Sequence, residues 1–230
     1  MENLETLKVS GNNIAGTIPP ELLGVESLRV LDLSNNAFFG VIPPFPDSSS
    51  LERIEFQSNN LSGELTPSIG NLQSLTSLNL ANNALVGPFP PSVFDSPSLT
   101  GLYIAKNFFD GSIPEEIGNA AGLVELALGP NDFTGIIPTS LGDLNNLTRL
   151  IIEGVPTLEG RLPVSYGFGL TNLVEFVLTG TAVRGNIPDT FGSMTALEVL
   201  NFAKNSLGRQ LPQTLGALTN LSKYLLRKGS

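Results

Sequence analysis

One spacing runs through the whole sequence. The segment L-x-x-L-x-L-x-x-N, or a close variant of it, recurs at intervals of 23 to 26 residues, and its first Leu falls at Leu4, Leu28, Leu51, Leu75, Leu99, Leu123, Leu147, Leu173, Leu197 and Leu221. A period that covers an entire chain is typical of a protein in which each unit stacks on the next. We therefore expect one domain over residues 1–230, with nine complete repeats and the opening strand of a tenth.

Each repeat begins with a short strand. In Leu78-Asn79-Leu80 the apolar residues alternate with a polar one, and an alternation of period two indicates a strand that is buried on one side. Because one such strand cannot bury its apolar face alone, neighbouring repeats must form a parallel sheet. An Asn column follows the strands, at Asn12, Asn36, Asn59, Asn83, Asn107, Asn131 and Asn205. We expect these amides to turn inward and bond to backbone groups at the bend.

The second half of most repeats carries G-x-I-P or a variant, as in Gly16-Thr17-Ile18-Pro19 and Gly135-Ile136-Ile137-Pro138. Gly permits a sharp turn, and Pro can open a short helical turn because its missing N–H costs nothing there. The residues behind it, such as Thr139-Ser140-Leu141-Gly142, are too few for a stable α-helix and suit a 3₁₀ turn. We also expect a possible short second strand at G-x-I-P.

The composite of these motifs, L-x-x-L-x-x-L-x-L-x-x-N-x-L-x-G-x-I-P-x-x-L-G-x-L, resembles the plant-specific leucine-rich repeat over nearly the entire chain. The resemblance implies an α/β fold: a right-handed solenoid with a parallel β-sheet on its concave face and short 3₁₀ turns on its convex side. The family includes the ectodomains of plant receptor-like kinases and receptor-like proteins, and polygalacturonase-inhibiting proteins. Cysteine-bearing caps usually flank such repeats, and this sequence has no Cys.

The same resemblance implies a non-catalytic recognition scaffold in an extracellular or cell-surface location. The expected partner is a protein, a peptide or a glycan-bearing molecule, with a co-receptor or a secreted enzyme as further candidates, bound by the concave face and one flank. Two alternatives stay open, namely an inhibitor of a secreted glycosidase and a structural, ice- or wall-adsorbing repeat. Three sequons, at Asn60, Asn146 and Asn220, are possible glycosylation sites. Since chance alone produces about three, they are no separate evidence of secretion.

Composition excludes several other functions. The net charge of −9 argues against nucleic-acid binding. The absence of both Cys and His removes thiolate chemistry and the commonest metal ligand, and no cofactor is expected. The first residues lack the basic and apolar regions of a signal peptide, and no apolar run is long enough to span a bilayer.

One pair of carboxylates is the best candidate for catalysis. Asp32 and Glu55 occupy the same outward position on neighbouring strands, where side chains about 5 Å apart have the spacing of a retaining glycosidase. Arg29 and Arg53 lie on the same strands. We therefore interpret the group as a solvated patch of mixed charge and expect no enzymatic activity.

The outward position between the last two framework residues of each strand indicates a binding surface. This column begins with polar residues and then becomes aromatic or aliphatic over four consecutive strands, at Tyr103, Ala127, Ile151 and Val177. Contiguous apolar surface more often marks an interface than isolated aliphatic residues do. We expect partner binding there, with Val124 and Val174 at the strand edges and with Arg149, Glu125 and Glu175 framing the strip.

Two other features depart from a regular repeat. The seventh repeat is two residues longer than the common 24 and has Val155 at the Asn position. One of its extra residues precedes Leu158, and the other falls within the segment from Val164 to Leu170. Such insertions mark binding edges in some solenoids and result from drift in others. The sequence also begins and ends on core residues, so we expect flanking sequence in the natural protein or self-association through uncapped ends.

Overall fold

The computed structural model describes residues 3–208 and 210–226. Nineteen strands occur in these residues: β1 (Thr6–Lys8), β2 (Ala15–Gly16), β3 (Val30–Asp32), β4 (Ala37–Gly40), β5 (Arg53–Glu55), β6 (Asn60–Glu64), β7 (Ser77–Asn79), β8 (Ala84–Pro88), β9 (Gly101–Tyr103), β10 (Phe108–Asp110), β11 (Glu125–Ala127), β12 (Gly135–Ile136), β13 (Arg149–Val155), β14 (Leu158–Glu159), β15 (Glu175–Thr181), β16 (Arg184–Gly185), β17 (Val199–Asn201), β18 (Ser206–Leu207) and β19 (Lys223–Leu225). The odd-numbered strands form one ten-stranded sheet in chain order. Every described pairing is parallel, so each coil lies directly beside the next.

The even-numbered strands form a second, interrupted layer on the flank of the solenoid. β2 to β10 make a five-stranded sheet, while β12 pairs with β14 and β16 pairs with β18. This second strand contains the Gly of G-x-I-P in most coils but ends before Ile-Pro, earlier than the sequence indicated. The Ile is buried instead, as at Ile42, Ile113 and Ile187.

Short helical turns form the third side of each coil. Most are 3₁₀, at Pro67–Asn71, Pro91–Asp95, Glu115–Asn119, Thr139–Asp143, Asp189–Ser193 and Gln213–Ala217. Two are short α-helices, α1 (Pro20–Leu23) and α2 (Ser165–Gly169). Pro114, Pro138 and Pro188 sit at the N-cap, one residue before the first helical residue. The predicted fold class, a solenoid with one parallel sheet and short turns, is confirmed.

A continuous apolar core fills the space between the sheet and the turns. The central residue of each inner strand is buried, as for Leu31, Leu78 and Leu102. Each fully buried side chain of this size contributes about 1.5–3 kcal/mol. Burial is incomplete in the first and last coils, where Leu4, Leu7, Leu221 and Tyr224 are only partly covered.

The Asn column connects adjacent coils. The Asn107 side-chain amide donates to the Leu80 carbonyl of the preceding coil at 2.9 Å and to the Ile104 carbonyl of its own coil at 3.1 Å. Its Oδ1 accepts from the Leu85 backbone N–H at 3.0 Å. Asn36, Asn59, Asn83 and Asn131 repeat this arrangement. One amide thus satisfies three backbone groups that the bend removes from the sheet.

Two coils lack the Asn and pair their backbones instead. β13 and β15 are seven residues long, and their pairing continues to Val155 opposite Thr181. The Thr181 hydroxyl and backbone N–H both donate to Oδ1 of Asn205, at 2.6 and 3.0 Å. The Asn column therefore continues at Asn205. Longer strands therefore replace the amide where Val155 and Thr181 interrupt it.

The repeated Gly on the flank has a steric cause as well as a conformational one. Gly63 has φ of +76°, and a methyl group there would lie 2.8 Å from Cγ1 of Val41 in the preceding coil. Likewise, Glu64 lies across Gly87 and Ile136 across Gly160. A side chain at this position would both strain the backbone and displace the neighbouring coil.

We predict that Asn107→Ala lowers the free energy of unfolding by about 2–4 kcal/mol, because it leaves two carbonyls and one N–H without their partner. Chemical denaturation monitored by circular dichroism measures the change. Asn119→Ala is the matched control, since that side chain is exposed at the end of a 3₁₀ turn, and its cost should stay within about 0.5 kcal/mol. Equal losses for the two variants would show that the amide ladder does not hold the coils together.

Candidate functional site

The face of the ten-stranded sheet that points away from the core, called the concave face below, carries the candidate site. The strand registers place one row of outward residues side by side across all ten strands: Lys8, Asp32, Glu55, Asn79, Tyr103, Ala127, Ile151, Val177, Asn201 and Leu225. We call this row the central column. It is the column that the sequence indicated.

Tyr103 does not stand upright on this face. Its ring lies back along its own strand, so that a methyl group on Gly101 would be 3.1 Å from Cε2 and 3.2 Å from the hydroxyl. The hydroxyl donates to Oε2 of Glu125 at 3.0 Å. Burial first, and then the hydrogen bond and charge of Glu125, raise the pKa of Tyr103 to about 12. Gly101 therefore provides the space in which Tyr103 reaches the next strand.

Glu125 begins a row of charges beside the central column. Arg149 lies 3.8 Å from Oε2 of Glu125, and its Nε donates to Oε2 of Glu175 at 2.7 Å. The bond to Glu175 is the largest cause of the raised pKa of Arg149. These side chains are partly exposed, so the pairs contribute less than about 1 kcal/mol each to stability. The hydrogen bond and the ion pairs connect four side chains across four strands. We call this group, Tyr103, Glu125, Arg149 and Glu175, the polar row.

The apolar strip is shorter than expected. Ala127 and Ile151 are half-buried and present apolar surface next to the polar row. Val177 has its predicted place in the central column but is only 5% exposed, which corrects its assignment as a contact residue. Its short side chain lies between Ile151 and Asn201 on the adjacent strands, and both neighbours are longer.

Val124 and Val174 lie at the edge of the sheet, immediately before β11 and β15, and both are half-buried. Their carbonyl oxygens accept hydrogen bonds from the backbone of the next coil. The Val124 carbonyl accepts from the backbone N–H of Thr148 at 2.9 Å and from that of Arg149 at 3.1 Å. These two residues position the strands that carry the polar row and present only part of their side chains at its margin.

The first coils of the concave face are polar. Asp32 accepts from the backbone N–H of Ser34 at 3.0 Å and from its hydroxyl at 2.7 Å. Glu55 pairs with Arg53 of its own strand at 2.7 Å, whereas Arg29 pairs with Glu52 rather than with Asp32. The carboxylate pair considered for catalysis is thus occupied by local partners. Within the described ranges, no cluster of three metal-binding side chains occurs.

Comparison with known proteins agrees with this architecture. The sequence profile of the Leucine Rich Repeat family matches residues 3–25, 27–48, 50–72 and 74–95. The structure is similar to the Arabidopsis receptor kinase HAESA, solved with the peptide hormone IDA and the co-receptor SERK1, at 33% identity and a TM-score of 0.89, covering 94% of this chain and 36% of that one. It is also similar to a Pollen Receptor Kinase 3, at 31% identity and a TM-score of 0.62, covering 68% of this chain and 76% of that one.

The chain belongs to the plant leucine-rich-repeat family. This leucine-rich-repeat chain spans about a third of the length of the receptor ectodomains that it matches first. A plant ice-binding protein shares the fold at 24% identity and a TM-score of 0.84, covering 96% of this chain and 71% of that one. No curated protein sequence matches it significantly. The helices found among the described residues are all too short or too polar to cross a membrane.

The three sequons of this leucine-rich-repeat protein lie in different settings. The side chains of Asn146 and Asn220 donate to the carbonyls of Ala121 and Thr195 in their preceding coils, each at 2.9 Å. Asn60 is exposed at the start of β6 on the flank. All three remain possible sites of glycosylation.

Sequence reasoning missed the contacts between columns. It placed Tyr103 in an apolar strip and Glu125 in a frame around it, but did not anticipate their hydrogen bond. The available signal was Gly101, the only Gly in its column of the printed sequence, because a missing side chain next to a large one indicates that the larger side chain lies over it.

We predict that Glu125→Gln lowers the pKa of Tyr103 from about 12 but leaves it above 10, since burial still favours the neutral phenol. Because the folded-state pKa is the higher one, the stabilising effect of the neutral phenol is complete below pH 10 and is lost as the pH rises toward 12. Ultraviolet difference titration measures the shift, and Tyr103→Phe identifies the signal among the three Tyr. An unchanged titration would mean that the hydroxyl has another partner.

Proposed function

We propose that this chain is a non-catalytic recognition domain that binds an extended peptide or protein segment across its concave face. The observation that carries the proposal is the polar row, Tyr103–Glu125–Arg149–Glu175, lying directly beside the half-buried Ala127 and Ile151. Apolar surface supplies affinity, and fixed polar groups beside it supply orientation and specificity.

The size of this surface suits a short extended segment. Neighbouring strands lie about 4.8 Å apart, so the four strands from Tyr103 to Val177 span about 14 Å, close to four residues of extended chain. A ligand side chain on Ala127 and Ile151 would be apolar. The ligand groups on the polar row would be donors, because Arg149 is already paired while the carboxylates of Glu125 and Glu175 can accept further hydrogen bonds.

The other end of the face carries mixed charge. Asp32 and Glu55 lie adjacent in the central column, where Lys8 neighbours Asp32 and Arg53 pairs with Glu55. A ligand with polar groups over coils two and three and an apolar group over coils six and seven would match both regions. Such complementarity raises the rate of association and selects the orientation of the ligand.

The comparisons support this class of ligand. HAESA was solved with a peptide hormone and a co-receptor, and this chain has the same fold at 33% identity. The same similarity supports an extracellular or cell-surface location, which forms part of the proposal. Inhibition of a secreted glycosidase would be a narrower use of the same face, in which the segment belongs to a folded enzyme.

Adsorption to ice or to a wall polymer is the weaker alternative. It requires a regular array of similar outward residues, and the central column changes from charged to apolar along the sheet. The flank varies as well, since corresponding positions hold Phe39, Val86 and Asp110. A measurement of thermal hysteresis should give no activity.

We predict that Ile151→Glu weakens peptide binding by about 2 kcal/mol, roughly 30-fold, because it places a charge on the apolar part of the face. Its stability cost should stay within about 1 kcal/mol, since the residue faces solvent. The probe is a displayed library of random linear peptides, selected on the parent chain, with affinities of the selected peptides measured by calorimetry.

Two variants serve as controls. Val41→Glu adds the same charge on the flank and should leave the affinity unchanged. Ile152→Ala removes a fully buried side chain on the same strand and should cost about 2–5 kcal/mol of stability. Selected peptides that bind Ile151→Glu as well as the parent would remove the concave face as the site, whereas an Ile151→Glu chain that unfolds would show that Ile151 belongs to the core.

A further inference from the structure

A second apolar surface lies on the flank, outside the concave face. Phe108 is 54% exposed and Val86 41% exposed, and the register of β10 with β8 places them side by side. Ile136, 58% exposed, lies one coil further and lines a cleft together with Pro88 and Pro114. We define the flank patch as Val86, Pro88, Phe108 and Ile136 with the acidic residues Glu64 and Asp110.

The flank patch is a consequence of strand geometry. Leu85 and Phe109 point inward and are fully buried, so Val86 and Phe108, each adjacent to one of them, point outward. Single exposed apolar residues are ordinary on protein surfaces, but a contiguous group more often marks an interface. Beside it, a cleft is lined by Pro88, Pro91, Pro114 and Ile136.

Charge on this part of the flank is mainly acidic. Glu64 lies next to Val86 in the register, and Asp110 follows Phe108 on the same outward face. Asp132 and Glu116 are exposed at the margins. The flank segments 37–43, 60–65, 84–89, 108–113 and 132–137 contain neither Lys nor Arg. Lys106 lies exposed at the bend two residues before Phe108, and Arg161 and Arg184 follow in later coils.

A partner cannot extend the flank sheet at β10, because its backbone is already paired. The Phe109 carbonyl accepts from Asp132 N–H at 2.8 Å, and the Gly111 carbonyl accepts from Thr134 N–H at 2.7 Å. Recognition at this surface must therefore use side chains rather than strand addition.

We propose that the flank patch is a second docking site, for a protein segment that presents an apolar side chain flanked by Lys or Arg. The apolar side chain covers Val86 and Phe108 and enters the cleft, and the basic groups pair with Glu64 and Asp110. A second copy of this chain fits less well, because a symmetric contact would bring these carboxylates against themselves. The site is separate from the concave face and does not depend on the ligand proposed for it.

The probe is a pair of synthetic peptides with the same apolar residues, one alternating Leu with Lys and the other alternating Leu with Glu. Calorimetry on the parent chain should show binding of the Lys peptide and at least about tenfold weaker binding of the Glu peptide. Phe108→Ser should weaken binding of the Lys peptide by about tenfold. Asp110→Asn should weaken it by a smaller factor, because one of the two central carboxylates remains.

Two controls locate the effect. Phe168→Ser changes a Phe of similar exposure, 69%, on α2, and should alter the affinity by less than about twofold. In an Ile151→Ser background, which removes the apolar contact of the concave face, Phe108→Ser should still weaken binding of the Lys peptide by about tenfold. The thermal midpoint of each variant shows that it is folded.

Four results would overturn the proposal. Equal affinity for the two peptides would exclude charge recognition, and loss of binding with Ile151→Ser but not with Phe108→Ser would place the peptide on the concave face. Sedimentation that shows a dimer dispersed by Phe108→Ser would identify the occupant as a second copy. If the secreted chain carries a glycan at Asn60 that prevents peptide binding, and Asn60→Gln restores it, the chain's own carbohydrate covers the flank.

Discussion

The fold depends on the inward-turned Asn amide that connects most coils to the one before them. Asn107 bonds to a carbonyl in its own coil, to a carbonyl in the preceding coil and to an N–H on the flank. These bonds satisfy the backbone where the chain leaves the inner sheet, at a bend that is buried and closed to water. Because every coil bends at the same place, the strands stay in register, and outward residues align into columns across the sheet.

The candidate site lies beside the two coils in which the Asn is replaced. Val155 and Thr181 replace the Asn in two successive coils, and β13 and β15 extend their backbone pairing to compensate. The longest strands of the sheet are therefore the ones that carry Arg149, Ile151 and Glu175. The irregularity in the seventh repeat thus has a structural outcome, a longer backbone pairing on two of the strands that carry the polar row.

Sequence spacing was sufficient to predict the columns but not the exposure within them. Alternation with period two places Ile152 in the core and Ile151 on the face, and the structure agrees. It could not show that Val177 is covered by its neighbours, that Tyr103 leans over Gly101 to reach Glu125, or that Arg29 pairs with Glu52 instead of Asp32. Each of these depends on side-chain lengths and rotamers on adjacent strands, which lie 23 to 26 residues apart in the chain.

The repeat, the parallel sheet, the inward Asn and the family could be predicted from the sequence alone, because each follows from a local pattern that recurs in most coils. Which outward residues form surfaces depended on how the coils pack against one another. Phe108 and Val86 look like ordinary framework variation in the sequence, and only the offset pairing of β8 with β10 brings them together beside Glu64. The physical reason is that a period specifies the direction of a side chain within its own coil, whereas a surface results from contacts between coils that the period does not specify.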